Sequence, residues 1–181
     1  YVLRFLPAVE DGTYFYANAQ GSGVVYLVER PAFMDLEYEK LLLRWFLSPL
    51  LMDVSGVTVE SAAGRHEFQV DNTDARNPVI TLNGSVVDTD LFRSFFKLLG
   101  SAASDGEYLG VQPEAETPAV MTITYHYTDG KADDVMALHA GGTRRMNVYV
   151  NGVREFAMKE TFVERVNQAL SALQAGESFD I

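Results

Sequence analysis

The chain has 181 residues, 48% of them hydrophobic, and a formal net charge of −11. That apolar content is enough to bury a core and excludes a largely disordered chain. The acidic balance and the lack of a basic stripe argue against nucleic-acid binding, and the absence of cysteine excludes disulfides, thiol catalysis and zinc–thiolate or iron–sulfur sites.

The first predicted unit consists of two strands and a helix. The strands TYFYAN and GVVYLVE flank the loop 19–23, and Pro31 ends the second strand. A helix then begins near Asp35 and ends at Ser48-Pro49, because the residue before a proline resists the helical conformation. Its apolar side comprises Tyr38, Leu41, Leu42, Trp45 and Phe46.

The second unit follows a hairpin made of GVTVES and RHEFQV. It begins with PVITL and turns at Asn83-Gly84, a dipeptide typical of a two-residue hairpin turn. Asp88 or Thr89 can then cap a helix that ends at Gly100. The predicted buried face of this helix comprises Leu91, Phe92, Phe95, Phe96 and Leu99.

The third unit ends a predicted four-stranded antiparallel meander. AVMTITYHYT and DDVMALH are joined around Asp129-Gly130, and the chain continues into RMNVYV, Asn151-Gly152 and VREFAM. A helix that ends at Gly176 follows. Its predicted apolar face comprises Phe162, Val163, Val166, Ala169, Leu170 and Leu173.

These patterns predict an α+β fold built from repeated strand–turn–strand–helix (ββα) units. The sheet is mostly antiparallel, with the helices packed on one face, because each unit can bury its helix only against a shared sheet. We expect residues 1–181 to form one domain. The alternative is two lobes, residues 1–105 and 119–181, joined by residues 106–118 as a linker or long loop rich in Gly, Pro and acidic residues.

No residue pattern indicates a catalytic, metal or cofactor site. His66, His126 and His139 share no ligand spacing, and the paired aspartates fit helix caps and polar turns. Arg144 and Arg145 follow two glycines in HAGGTRR, a weak candidate for an anion site, although a tight turn with charged flanks explains the same residues. We therefore expect no cofactor, no metal and no enzymatic activity.

Two aromatic clusters are candidates for an interaction surface. The first is Tyr14-Phe15-Tyr16 in the first unit, and the second is formed by Tyr125 and Tyr127 in the meander. Successive strand residues point to opposite faces, so in each cluster one ring is expected in the core and another on the surface, where aromatic residues often dominate binding energy.

Two long segments resemble a bacterial domain-of-unknown-function family. TYFYANAQGSGVVYLVERPAFMDLEYEKLLLRWFLSPLLMD resembles its first half, and TITYHYTDGKADDVMALHAGGTRRMNVYVNG resembles its later part. Family members follow an N-terminal transmembrane segment, lie outside the cytoplasmic membrane and are often encoded beside gliding-motility-type ABC transporter components. The resemblance implies no catalytic residues, and it implies a membrane anchor upstream of Tyr1 that is not part of this chain.

The leading expectation is a non-enzymatic extracytoplasmic domain, tethered to the cell membrane. It would bind a membrane transporter or another envelope protein, with no nucleic acid involved and with membrane contact only through the segment absent from this chain. The alternative is a small-molecule or glycan binding module, which needs a concave pocket with a few polar groups. An enzyme is the third possibility, and its structural sign would be a histidine within hydrogen-bond reach of a carboxylate in a cleft.

Overall fold

The computed structural model describes residues 2–37, 40, 44–74, 76–112, 115 and 117–180. The chain forms two compact units, Tyr1–Leu42 and Leu43–Ile181. The fold is α+β with mainly antiparallel sheet, as predicted.

The smaller unit is a three-stranded antiparallel sheet. Its strands are β1 (Leu3–Pro7), β2 (Tyr14–Ala19) and β3 (Tyr26–Glu29), in the order β1-β2-β3. On one face Phe15 is buried, and the Arg30 guanidinium lies over its ring, 5.7 Å from the ring centre. On the same face Phe5 meets Phe33 edge-on, with ring centres 5.8 Å apart. These contacts give the unit a small core on one side only.

The helix predicted from Asp35 differs from the structure where it can be compared. Ala32–Asp35 is a short 3-10 helix, and Leu36 is already extended. Tyr38, Leu41 and Leu42 lie outside the described residues. Trp45 is not helical: it forms an antiparallel bridge with Ala103 and is 56% exposed, so the prediction of a buried helical Trp45 is wrong.

The larger unit is a nine-stranded sheet in which every neighbouring pair is antiparallel, with the strand order β7-β6-β5-β4-β9-β10-β11-β12-β8. The strands are β4 (Val54–Ser61), β5 (Gly64–Asp71), β6 (Val79–Leu82), β7 (Ser85–Val86), β8 (Tyr108–Gln112), β9 (Ala119–Tyr127), β10 (Asp134–Ala140), β11 (Arg145–Val150) and β12 (Val153–Lys159). Two helices follow β7 and β12: α1 (Thr89–Gly100) and α2 (Thr161–Ala175).

The segment 106–118 does not divide this unit. It contains β8, which pairs with β12, and the sheet continues across it through the β4–β9 pair. Strands before and after the segment therefore belong to one sheet, and the boundary between the compact units lies at Leu42 and Leu43 instead.

Local chemistry favours the start of α1 and the end of α2. The Asp88 carboxylate caps α1 by accepting hydrogen bonds from the N–H groups of Asp90 and Leu91, each 2.9 Å long. Gly176 ends α2 in the left-handed conformation with φ 71°, as predicted.

The core lies between the two helices and one face of the sheet. All six residues predicted for the apolar face of α2 are buried. In α1 the buried set shifts toward the C-terminus, because Leu98 is buried while Leu91 and Phe96 are half-buried. The facing strand residues at the centre of the sheet are Val57, Val59, Phe68, Ile123, Tyr125, Met136 and Leu138.

The two Asn-Gly turns, 68 residues apart, have the same geometry. Asn83 and Asn151 have φ values of 49° and 50°, and both following glycines have φ 83°, as a type I′ turn requires. The Asn83 N–H and side-chain oxygen bond the backbone of Glu67 at 2.8 Å each, and Asn151 bonds Val135 in the same way at 2.8 Å. Both predicted turns are confirmed.

Two four-stranded successions, each with a helix, replace the three predicted units. β4 to β7 followed by α1 matches the order of β9 to β12 followed by α2. The two successions meet where Val57 pairs with Tyr125, again 68 residues apart. The pairs on either side, Gly56 with His126 and Thr58 with Thr124, are symmetric about it, and the register shifts beyond Gly56. The first predicted unit has no place in this arrangement, because residues 3–29 form the separate small sheet.

The predicted tight turn at Asp129-Gly130 is wrong. β9 ends at Tyr127 and β10 begins at Asp134, so residues 128–133 form a longer connection. Gly130 has φ 68°, but Asp129 does not adopt the positive φ that a type I′ turn needs at both central positions.

Replacing Gly152 with valine should lower the free energy of unfolding by about 1–2 kcal/mol, because a β-branched residue resists positive φ. No atom lies within 4 Å of a Cβ built at Gly152, so the cost is backbone strain and not collision. Gly100→Val is the control, since Gly100 also has open space but lacks the positive φ. Equal denaturation midpoints for the two variants would contradict the type I′ geometry.

Candidate functional site

The exposed face of the small sheet carries an apolar cluster. The strand register places Leu6, Tyr16 and Leu27 directly opposite one another, and they are 67%, 49% and 62% exposed. Tyr14 lies two residues before Tyr16 and so shares its face. We call Leu6, Tyr14, Tyr16 and Leu27 the tyrosine face.

The alternation of β2 explains this arrangement. Phe15 points into the small core, so its neighbours Tyr14 and Tyr16 must point the other way. Arg4, Asn18 and Glu29 lie on the same side by register, so charged and polar groups border the apolar cluster. A surface with exposed aromatic side chains inside a polar border has the composition of a binding patch.

Tyr125 belongs to the core, so it is removed from the predicted surface. Its side chain has no exposed area, and its ring meets Phe96 edge-on with centres 5.9 Å apart. Among the described residues its hydroxyl has no hydrogen-bond partner. Burial raises the pKa of the Tyr125 phenol well above its ordinary value.

Tyr127 is half-buried and engaged within its own hairpin. Its hydroxyl donates to the Asp134 carboxylate at 2.6 Å, and the Lys131 ammonium lies 3.7 Å from its ring centre. Asp134 also accepts from Lys131 at 3.1 Å and from Asn151 at 3.0 Å. The Tyr127 hydrogen bond is the largest cause that holds the pKa of Asp134 below its ordinary value. The predicted surface is thus reduced to Tyr14 and Tyr16.

The anion site predicted at Arg144 and Arg145 is filled by the protein's own carboxylates. Arg145 binds Asp105 at 2.6 Å and Glu107 at 2.7 Å. The hydrogen bond to Glu107 and then the one to Asp105 raise the pKa of Arg145. Arg144 is exposed and has φ 58° in the turn. The charge on Arg145 is therefore already neutralised.

His126 links two strands and a loop in a hydrogen-bonded relay. Its Nε2 lies 2.8 Å from the Thr58 hydroxyl, and its Nδ1 lies 2.8 Å from the Asp133 carboxylate. A carboxylate can only accept, so the ring carries its proton on Nδ1, and Nε2 of the neutral ring accepts from Thr58. Sequence reasoning missed this relay because its members come from β4, β9 and the loop 128–133.

The relay has the order hydroxyl, imidazole, carboxylate that serves nucleophilic catalysis in hydrolases. Such catalysis also requires that a substrate reach the hydroxyl, and Thr58 is only 6% exposed on the sheet. The relay adds a side-chain hydrogen bond across the β4–β9 pair.

The other two histidines have different surroundings. His66 is buried, with its Nδ1 3.4 Å from the Gln174 amide on α2. His139 contacts the ring of Tyr149 edge-on at 4.9 Å, and its Nδ1 lies 2.6 Å from the Thr117 carbonyl oxygen. Within the described ranges no three His, Asp or Glu side chains converge in a way that would hold a metal ion.

A polar pocket of about 150 Å³ lies beside β8, β10, β11 and β12. We call it the Arg154 pocket. It is lined by Gln112, Ala115, Thr117, His139, Ala140, Asn147, Tyr149 and Arg154. His139 is the histidine in this lining, and no sequence motif indicated the pocket.

Comparison with known proteins identifies no relative: no protein-family model, curated protein or solved structure matches the chain. Among the described residues, the helices are too short or too polar to be membrane-spanning segments.

The His126 relay predicts a tautomer. At mildly alkaline pH, long-range ¹H–¹⁵N spectra should show the His126 ring protonated on Nδ1, because Asp133 accepts from that nitrogen. Asp133→Ala should move the population toward the Nε2–H form, while the spectrum of His139 stays unchanged. A ring protonated on Nε2 in the unmutated protein would contradict the relay.

Proposed function

We propose that this chain is a non-enzymatic binding domain that docks a protein partner on its tyrosine face. The observation that carries the proposal is the exposed cluster of Leu6, Tyr16 and Leu27, aligned across three strands. Tyrosine supplies large contact area at low entropic cost, and such residues often carry most of an interface's binding energy.

The partner's chemistry follows from this face and from the charge of the chain. An apolar patch on the partner covers the tyrosine face, and basic groups surround that patch, because a chain with net charge −11 attracts a basic surface. The family resemblance suggests a component of an ABC-type transporter or another envelope protein. The domain then acts outside the cytoplasmic membrane, tethered by a segment beyond this chain.

Small-molecule or glycan binding is the second candidate function. The Arg154 pocket is the observation that favours it, because the pocket is concave and brings several polar groups together.

A matched pair of variants tests the protein-binding proposal. Tyr16→Thr combined with Leu27→Thr removes the centre of the tyrosine face and keeps side chains that suit strands. Val86→Thr, at a residue 75% exposed on β7, is the control for loss of exposed apolar area elsewhere. The immobilised chain is exposed to detergent-solubilised membranes that contain the transporter components, and retained proteins are identified by mass spectrometry.

We expect the unmutated chain and the Val86 variant to retain the same transporter or envelope protein, and the double variant to retain at least about tenfold less. Equal retention by all three chains, or retention of no such protein, would refute the proposal. Light scattering on the unmutated chain adds a further check, since a dimer that the double variant dissociates would assign the face to a second copy.

A further inference from the structure

Arg154 differs from the other partly buried arginine of the sheet. Arg145 binds two carboxylates, whereas Arg154 forms no ion pair in the described part of the chain. The Nε of Arg154, like that of Arg145, is buried without a hydrogen-bond partner among the described residues. Withdrawing an N–H group from water without a hydrogen-bond partner costs free energy.

The position of Arg154 in the sheet makes its guanidinium group accessible to a ligand that would supply a counter-charge. Arg154 pairs in register with Tyr149 on β11 and with Gln112 on β8. Tyr149 lies opposite Ala137, between the core-facing Met136 and Leu138, so this group lies on the sheet face away from the helices. Arg154 therefore lines a pocket that is open to a ligand and separate from the core.

The pocket also contains an acceptor of known orientation. The Thr117 carbonyl can only accept, so the 2.6 Å contact places the proton of His139 on Nδ1. The Nε2 of the neutral ring is then an acceptor and needs an O–H or N–H donor. Arg154 offers donors to an anion, while Gln112 and Asn147 add amide groups to the lining.

We propose that the Arg154 pocket binds a small hydroxycarboxylate group, with the carboxylate on Arg154 and the adjacent hydroxyl donating to His139. The guanidinium fork matches a carboxylate in bidentate geometry. A volume of about 150 Å³ is below the usual range for a complete ligand. The group is therefore a small hydroxy acid or the acidic end of a larger molecule such as an acidic glycan.

This inference names the ligand class for the second candidate function and does not depend on the tyrosine face. The test uses the full chain labelled with ¹⁵N, and the signal is the Arg154 Nε–Hε group. Glycolate is the probe. Acetate lacks the hydroxyl, glycolamide lacks the charge, and phosphate is an anion of different shape. Arg154→Gln removes the charge, and Arg165→Gln on the exposed side of α2 is the matched control.

We expect glycolate to shift the Arg154 signal in a saturable way and more tightly than acetate, with no saturable shift from glycolamide. Other pocket amides should follow the same curve, and Arg154→Gln should weaken it by about tenfold or more, as for loss of a charged hydrogen bond. Arg165→Gln should leave it unchanged. Unsaturable shifts, equal binding of acetate, tighter binding of phosphate, or unchanged binding in Arg154→Gln would each overturn the assignment. Variants of the tyrosine face should not alter glycolate binding, so failure here and failure of the protein-binding proposal are distinguishable.

Discussion

The pairing of β4 with β9 joins the two halves of the larger unit. These strands lie at the centre of the nine-stranded sheet and are joined antiparallel from Val54 to Ser61. On one side the sheet continues through β5 to β7, and on the other through β10 to β12 and β8. Their side chains Val57, Val59, Ile123 and Tyr125 are fully buried beneath the helices. Neither half can bury its helix fully without the other, because α1 and α2 share this core.

Close packing along the β4–β9 pair restricts which residues these two strands can contain. A Cβ on Gly56 would lie 2.6 Å from the Phe68 carbonyl oxygen, so only glycine fits there without a backbone shift. The register of β4 against β9 is irregular next to Gly56, opposite His126. On the face away from the helices, Thr58 on β4 and His126 on β9 form a side-chain hydrogen bond between the same two strands. The β4–β9 pair thus combines apolar packing on one face with the His126 relay on the other.

Local chemistry made part of this fold predictable from sequence. The Asn83 and Asn151 turns, the Asp88 cap and the buried face of α2 depend on residues close in the chain. The predictions at Trp45 and Tyr125 were wrong because contacts with residues far along the chain decided the outcome. The prediction at Asp129 was wrong because the connection between β9 and β10 is longer than a two-residue turn. Tyr125 and Tyr127 share a face by alternation, yet Tyr125 is buried against Phe96 of α1, whereas Tyr127 is half-buried.

The candidate sites also divide into those that a local sequence pattern predicted and those that it did not. Alternation in β2 predicted the exposure of a ring beside Phe15, and Tyr14 and Tyr16 are exposed. The pairing of Arg145 with Asp105 and Glu107, the His126 relay and the Arg154 pocket each join segments that no local pattern relates. Such sites depend on sheet order, which the sequence pattern left undetermined.

Native-state hydrogen exchange tests the central role of the β4–β9 pair most directly. The free energies of opening are measured for the amides of β4 and β9 and for those of α1 and α2. If the pair holds the larger unit together, the slowest amides of both halves should exchange only through one global unfolding event, with equal free energies. Exchange of the β4–β7–α1 half at a distinctly lower free energy than the β9–β12–α2 half would show two independent halves and contradict this account.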